Sequence, residues 1–279
     1  MSQEKCTKQI AILMATYNGS SFLHEQIDSI LGQSFTDWHL YVHDDGSKDN
    51  TPCILEQYQK QYHDQITLLN YPAQGNACQN FLSMLERIEA PYYMFSDQDD
   101  VWLPEKIAKT FSKIKYLERE FANTPIIVHS DLYITDQLLN ITSRSFIKNQ
   151  QIKIDRIKSF ADYSATNTVT GCTMLFNAVA KQNIKRPYDK AIMHDAWICL
   201  SVAAKNGIVD FIDEPLIKYR QHHDNTLGAC DMSQQTLLHK LKNIHQLFKD
   251  DMAHYQEMNA VKHISIWEFT KAKIRYKRK

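Results

Sequence analysis

No run of about twenty apolar residues occurs anywhere in the chain, so nothing in it reads as a membrane-spanning helix. The first apolar stretch, Ile10 to Ala15, follows Glu4, Lys5 and Lys8 and is too short for a secretory h-region, so it reads as a first strand. Net charge is missing as well: 32 basic residues balance 32 acidic ones, which excludes a dedicated nucleic-acid binder as judged by bulk electrostatics. The six cysteines, Cys6, Cys53, Cys78, Cys172, Cys199 and Cys230, form no C-x-x-C pair. That removes a zinc knuckle and a disulfide ladder and points to a reducing cytoplasm. No G-x-G-x-x-G follows the first strand, which disfavours a dehydrogenase. No internal repeat and no low-complexity block is visible, and 43% hydrophobic with 23% charged residues is ordinary for a chain that buries a sizeable core.

What is present is an alternation of strand-like and helix-like segments through the first half, the pattern of a largely parallel sheet covered by helices. Strands are expected near 9–15, 38–44, 66–71, 91–96 and 126–134. Phe22, Leu23, Ile27, Ile30 and Leu31 recur at three- and four-residue steps and predict a helix packed on the sheet. Thr51 with Pro52 predicts an N-cap and first-turn proline for a second helix, and Pro104 does the same for a third carrying Ile107, Phe111 and Ile114. Beyond residue 140 the alternation weakens. Lys148, Asn149, Gln150 and Gln151 read as a mobile loop, followed by a strand near 168–176, a helix over about 194–206 and a strand near 208–212. From Gln234 to Lys279 no Gly or Pro interrupts a long helical pattern.

The densest acidic signal is Phe95-Ser96-Asp97-Gln98-Asp99-Asp100-Val101-Trp102. Residues i and i+2 of a strand share a side, so Asp97 and Asp99 are expected to converge while Gln98 faces away. Hard oxygen ligands suit Mg²⁺ or Mn²⁺ with substrate phosphates completing the shell. Composition alone allows a plainer reading, a solvated acidic turn at the start of the next helix. His43-Asp44-Asp45-Gly46-Ser47 ends the second strand and Thr16-Tyr17-Asn18 the first, and in an open α/β sheet ligands sit beyond such carboxyl ends. Each segment alone is also common turn chemistry.

Together, Ala-Thr-Tyr-Asn-Gly (15–19), Gln-Ser-Phe (33–35), Asp-Asp-Gly-Ser-x-Asp-Asn-Thr (44–51) and Asp-Gln-Asp-Asp-x-Trp (97–102) match family-two glycosyltransferases of the GT-A fold in order and spacing. The chain resembles that family over roughly residues 8 to 225. The last motif resembles bacterial rhamnosyltransferase-type members of cell-surface polysaccharide biosynthesis. The resemblance implies that Ala15, Thr16 and Tyr17 line a nucleoside pocket and that Asp45 accepts a hydrogen bond from a pyrimidine. It further implies that Asp97 lies near ribose and metal, and that Asp99 ligates the ion bridging the diphosphate. Gly75, in Gln74-Gly75-Asn76, resembles a shortened donor-side segment.

In the second half, Met193-His194-Asp195-Ala196-Trp197 resembles the family's acidic pair, which implies Asp195 as catalytic base, with His194 where a Glu is usual. Read by itself, Asp195 would cap a helix and Trp197 would sit in the core. Tyr219-Arg220-Gln221-His222-His223-Asp224-Asn225 resembles a C-terminal segment in which a His completes the metal or diphosphate site. His222 is the candidate, with His223 the alternative register, and a solvated His pair is the plain reading. Arg220 suits phosphate by its fork geometry. Gly171 and Cys172, with His194 and Trp197, are acceptor-side candidates; Gly171 equally marks a bulge. The basic C-terminus, Lys271 to Lys279, fits contact with an anionic membrane or else a solvated tail.

These readings converge on an α/β, GT-A type (Rossmann-like) fold with a mostly parallel central sheet. Residues 8–103 are expected to form the nucleotide-sugar and metal half of a domain spanning 1–225, residues 104–225 the acceptor half, and residues 226–279 a helical extension. The implied activity is inverting transfer of a sugar from a nucleoside diphosphate to a glycan or polyprenyl-linked hydroxyl, with Mn²⁺ or Mg²⁺. dTDP-rhamnose is the leading donor and UDP-sugars follow. A cytoplasmic protein at the inner face of the membrane is expected. A sugar nucleotidyltransferase would need a Gly-rich basic loop that Thr16-Tyr17-Asn18-Gly19 does not offer, and a non-catalytic glycan-binding relative is the remaining rival.

Overall fold

The computed structural model describes residues 4–222 and 244–277. Its sheet is assembled around β2 (Ile10–Thr16), whose residues 10–14 are fully buried. Ile10, Ile12 and Met14 face one layer and Ala11 and Leu13 the other, as the two-residue strand period requires. On one flank of β2 lie β3 (Trp38–Asp44) and β4 (Ile66–Leu68). On the other lie β6 (Tyr92–Ser96), β10 (Met174–Asn177), β8 (Ile126–Thr135), β11 (Ile208–Arg220) and the short β7 (Val101–Trp102), with β9 (Ile141–Ser143) on β8. The strands β4, β3, β2, β6, β8 and β11 run one way, and β10, β7 and β9 run against them. A separate parallel pair joins β1 (Glu4–Lys5) to β5 (Ile88–Glu89).

The chain leaves β2 towards β3 and β4 on one side, then returns to β6 on the other. That reversal opens a crevice at the carboxyl ends of β2, β3 and β6, the place where open α/β sheets bind ligands. Helices α1 (Leu23–Leu31), α2 (Thr51–Gln61) and α4 (Lys106–Glu120) cover one face. Helices α3 (Ala77–Arg87), α7 (Ala178–Gln182) and α8 (His194–Ala204) cover the other. Residues 194–203 of α8 are all buried, because α3 lies on one side of it and the C-terminal helices on another.

Several local expectations are corrected. Thr51 is the first residue inside α2 rather than its cap; its hydroxyl accepts from the Gly19 amide (2.9 Å), tying the end of β2 to α2. Pro104 lies ahead of α4, where its carbonyl accepts from Ser34. The strand expected over 168–176 is shortened to β10, because residues 171–173 form a 3₁₀ turn closed by Thr173 on the Thr170 carbonyl. The strand expected over 208–212 continues to Arg220: Asp213-Glu214-Pro215 reads as a stop, yet Pro215 sits at a register shift where no ladder donor is required. Residues expected as a loop near 148 begin as α5 (Phe146–Asn149), whose first amides bond to Asp131. The long C-terminal helix is broken into α9 (Ile244–Val261) and α10 (Ile266–Lys277) by a capping box in which Ser265 and Glu268 bond reciprocally. Between these helices and α5 run α6 (Phe160–Ala165) and its neighbours, against which α10 packs.

Candidate active site

The rim begins with residues whose backbone is held from several directions. Thr16 is buried and donates to Asp44 (2.9 Å). Tyr17, 57% exposed, has its amide and carbonyl clasped by the Gln98 side chain at 2.9 and 3.0 Å. Gln98 does point away from its acidic neighbours, as the strand period predicts, and the consequence is this clasp. A Cβ on Gly19 would stand 2.1 Å from Gln98 Oε1, so the glycine is what lets Gln98 reach. Ala15 is half-buried beside them. Asp45 accepts the amides of Gln74 and Gly75, the latter at 2.9 Å, so the 74–75 turn is fastened to the end of β3 by that carboxylate. Gly75 adopts φ +85, the left-handed region that glycine enters without strain.

The four-residue acidic turn after β6 splits in two. Asp99 faces outward, and His222 Nε2 meets its Oδ2 at 2.7 Å. His222 rests on the Phe22 ring at 4.7 Å, and Arg220 lies over the same ring at 4.6 Å. Asp97 is half-buried, whereas Asp100 is fully buried with one oxygen on the Arg220 amide (3.2 Å) and the other without a partner. Ligand atoms of Asp97, Asp100 and Cys172 all lie within 4.8 Å of one another. Burial first, then Asp99, then Asp195 push the Asp97 carboxyl well above the usual range; burial, Asp99 and Asp97 do the same to Asp100. Behind them Lys106 is completely buried, with Nζ 3.5 Å from the centre of the Trp102 ring, and burial lowers it to about 7.

Which acids suit a divalent ion follows from access. A hard cation held by one or two carboxylates needs an open side for phosphate and water. Asp100 is sealed from solvent and Cys172 is a soft, buried thiol, so that pair is a poor seat. Asp99, 14% exposed, the partly exposed Asp97 and His222, 9% exposed, are the hard ligands at this turn that keep some access, although the ligand atoms that gather most closely are those of Asp97, Asp100 and Cys172. The carboxylate that gathers with Asp97 is that of Asp100, which a two-residue period would send elsewhere.

Arg220 does not present a free fork to the crevice. Its guanidinium donates to the carbonyls of Asp99 (2.8 Å) and Gln137 (2.5 Å) and pairs with Glu25, and the residue is 2% exposed. It bolts the acidic turn to α1 and β8, a correction to its expected role at phosphate. His223 lies outside the described residues.

Across the rim, Asp195 opens α8. Its carboxylate accepts the Gly171 amide (2.9 Å), the Asn167 side chain (3.3 Å) and the Ala196 amide (2.6 Å). Burial pushes it up to about 6 against those hydrogen bonds, with the nearby Glu257 carboxylate adding to the rise. Glu257 belongs to α9, is 1% exposed and takes the Ile192 amide at 2.8 Å, so the C-terminal extension braces the loop leading into Asp195. Glu257 and Asn167 carried no signal in the sequence and Phe22 only a helical one; their place at the site is defined by what the fold sets beside them.

Two acceptor-side candidates turn inward. Trp197 is 1% exposed in the core, with its indole N–H on the Lys185 carbonyl (2.8 Å). His194 is packed between Phe81 and Phe95, both ring nitrogens lack a partner, and burial lowers it to about 3, so it stays neutral. Its ring also explains Gly171: a Cβ there would fall 2.5 Å from His194 Nε2. Gly171→Ala is expected to cost about 1–3 kcal/mol through overpacking, read as a lowered Tm, and to recover when combined with His194→Ala.

The sequence profile of glycosyl transferase family 2 matches residues 11–183. The chain belongs to that family. It is 28% identical over 221 residues to the dTDP-rhamnosyl transferase RfbG of Shigella flexneri, covering 77% of this chain and 74% of that protein. It is 30% identical over 217 residues to the putative teichuronic acid biosynthesis glycosyltransferase TuaG of Bacillus subtilis, covering 76% and 78%. Among solved structures it is similar to S. aureus TarS 1–349 in complex with UDP-GlcNAc (TM-score 0.58, 15% identity, 95% of this chain and 79% of that one). It is also similar to the mannosyltransferase PcManGT from Pyrobaculum calidifontis in complex with GDP-Man and Mn²⁺ (TM-score 0.58, 16% identity, 96% and 74%). The fold of this family-two glycosyltransferase is therefore GT-A, with a large mixed, mostly parallel sheet and C-terminal helices. Among the described residues no helix is long and apolar enough to cross a membrane.

Proposed function

We propose that this glycosyltransferase moves L-rhamnose from dTDP-rhamnose to a hydroxyl of a glycan or lipid-linked acceptor, with inversion at the anomeric carbon. The observation that carries the reading is geometric: Gly171 donates to Asp195, its neighbour Cys172 lies within 4.8 Å of Asp97, and Asp99 on the same turn meets His222. A donor diphosphate and an acceptor hydroxyl thus have separate carboxylates on one rim. The rhamnosyl choice rests on the likeness to RfbG, and UDP-linked sugars are the second choice.

In this reading Asp99, Asp97 and His222 would hold Mg²⁺ or Mn²⁺, which offsets negative charge developing on the departing nucleoside diphosphate. Thr16, Tyr17 and Asp45 border the nucleoside, with Gln98 setting the Tyr17 backbone. Asp195 takes the proton of the attacking hydroxyl as the new bond forms opposite the leaving group. Its raised affinity for a proton suits a base working near neutral pH.

Thermal unfolding with dTDP, UDP and GDP, free and sugar-linked, with and without Mn²⁺, tests the reading. Selective stabilisation by dTDP-rhamnose with Mn²⁺ is expected, since a ligand at a hundred times its Kd adds about 2.7 kcal/mol. Stabilisation by UDP-sugars alone would replace rhamnose, and no response to any of the three would remove donor binding altogether.

A further inference from the structure

The charge balance of the whole chain conceals a local excess. Residues 262–279 carry seven Lys and Arg against one acid, Glu268, and residues 144–158 carry five against Asp155. More than a hundred positions apart in sequence, the two segments meet in the fold. Lys153 donates its amide to the Tyr276 hydroxyl (3.1 Å), and Arg156 donates to the Tyr276 carbonyl (3.3 Å). Arg144, Lys148 and Lys158 are exposed on the shorter segment and Lys271 on α10. Lys262 and Arg275 are exposed as well, Arg275 in an ion pair with Asp162, so the described part of the two segments presents more cations than anions.

The same helix shows an apolar stripe. Phe269 and Ala272 turn inward, with Ile264 and Met258 beneath. Opposite them, at four- and three-residue steps, stand Trp267, Lys271 and Ile274. Trp267 is 72% exposed and Ile266 and Ile274 are each 49% exposed. An exposed indole and two isoleucines standing among basic side chains is the arrangement of a helix lying in a membrane interface, aromatic ring at headgroup depth and cations on phosphate.

We infer that α10, with the basic 144–158 segment beside it, docks this enzyme on a bilayer rich in anionic phospholipid. The cations supply attraction that grows with anionic lipid content, and Trp267 and Ile274 supply insertion that charge alone does not. The inference is independent of the donor assignment, because donor-dependent stabilisation is measured without any vesicle present.

The test is co-sedimentation of the full chain with phosphatidylcholine vesicles and with mixed phosphatidylglycerol–phosphatidylcholine vesicles. Binding is expected only to the mixed vesicles and is expected to fade as salt shortens the screening length from about 8 Å to about 3 Å. Trp267→Ser with Ile274→Ser is expected to weaken it by about tenfold or more, and Lys271→Glu with Lys158→Glu by a comparable factor, while Tm and donor-induced stabilisation stay at parental values. Equal binding to both vesicle types, or to neither, would overturn the inference. So would full binding by the Trp267/Ile274 variant, which would leave the contact to the terminal basic residues alone. A dimer in light scattering that the same variant dissolves, without vesicle binding, would assign α10 to a second copy of the chain instead.

Discussion

Asp195→Asn is expected to lower the rate of sugar transfer by about 10²–10⁴ while donor binding persists. The amide has no usable affinity for the acceptor proton, yet it occupies the same volume at the head of α8 and can still accept from Gly171. Donor-induced stabilisation should therefore survive, which separates loss of the base from loss of the fold. In the parent, the pH profile of turnover is expected to show an acidic limb near 6. Burial raises the Asp195 carboxyl to about that value, so it is protonated and inert as a base below the limb and ionised above it. Glu257→Gln removes an anion that favours the protonated form, so its limb is expected at lower pH. A profile that ignores both changes would transfer the base role away from Asp195.

Asp99→Asn is expected to abolish Mn²⁺-dependent stabilisation and to cut turnover by about 10²–10³. Asp99 is the outward acid of the turn and the partner of His222, and Asp100 cannot stand in, being sealed beneath it. The ion-free variant should be at least as stable as the parent, because Asp99 is the like charge that acts most strongly on both Asp97 and Asp100. The sign of the pH effect follows. Since Asp97 is raised in the folded state, its own contribution to the stability of the ion-free fold is fully present below the ordinary carboxylate range and is lost as pH rises through the raised value. A cation must displace that proton, so the Mn²⁺-induced increase in Tm is expected to grow with pH in the parent and to be absent in Asp99→Asn. An unchanged Mn²⁺ response in the variant would move the metal away from this turn.

Much of the framework was legible because it is local. The apolar runs of Ile10–Thr16, Trp38–Asp44 and Tyr92–Ser96, and the three- and four-residue steps of α1, are local signals that a buried layer imposes on neighbouring residues. The misreadings were places where a distant group decides. Thr170–Thr173 looked like strand until Asp195, 24 positions on from Gly171, claimed the Gly171 amide. The strand near 208–212 looked short, yet it runs on to Arg220 because Pro215 falls at a register shift in the pairing with β8. The break before α10 was missed, although Ser265 and Glu268 carry the capping-box spacing.

The sequence by itself determined the fold class, the family and the clustering of acids after β6, since each depends on residues close along the chain. Only the tertiary structure decided that Asp99 faces His222 while Asp100 is buried, that Arg220 bolts the turn rather than facing phosphate, and that Glu257 lies near Asp195. The physical reason is that charge and burial act through distance in space. Residues 97, 195 and 257 feel one another across a few side chains, although long stretches of chain separate them.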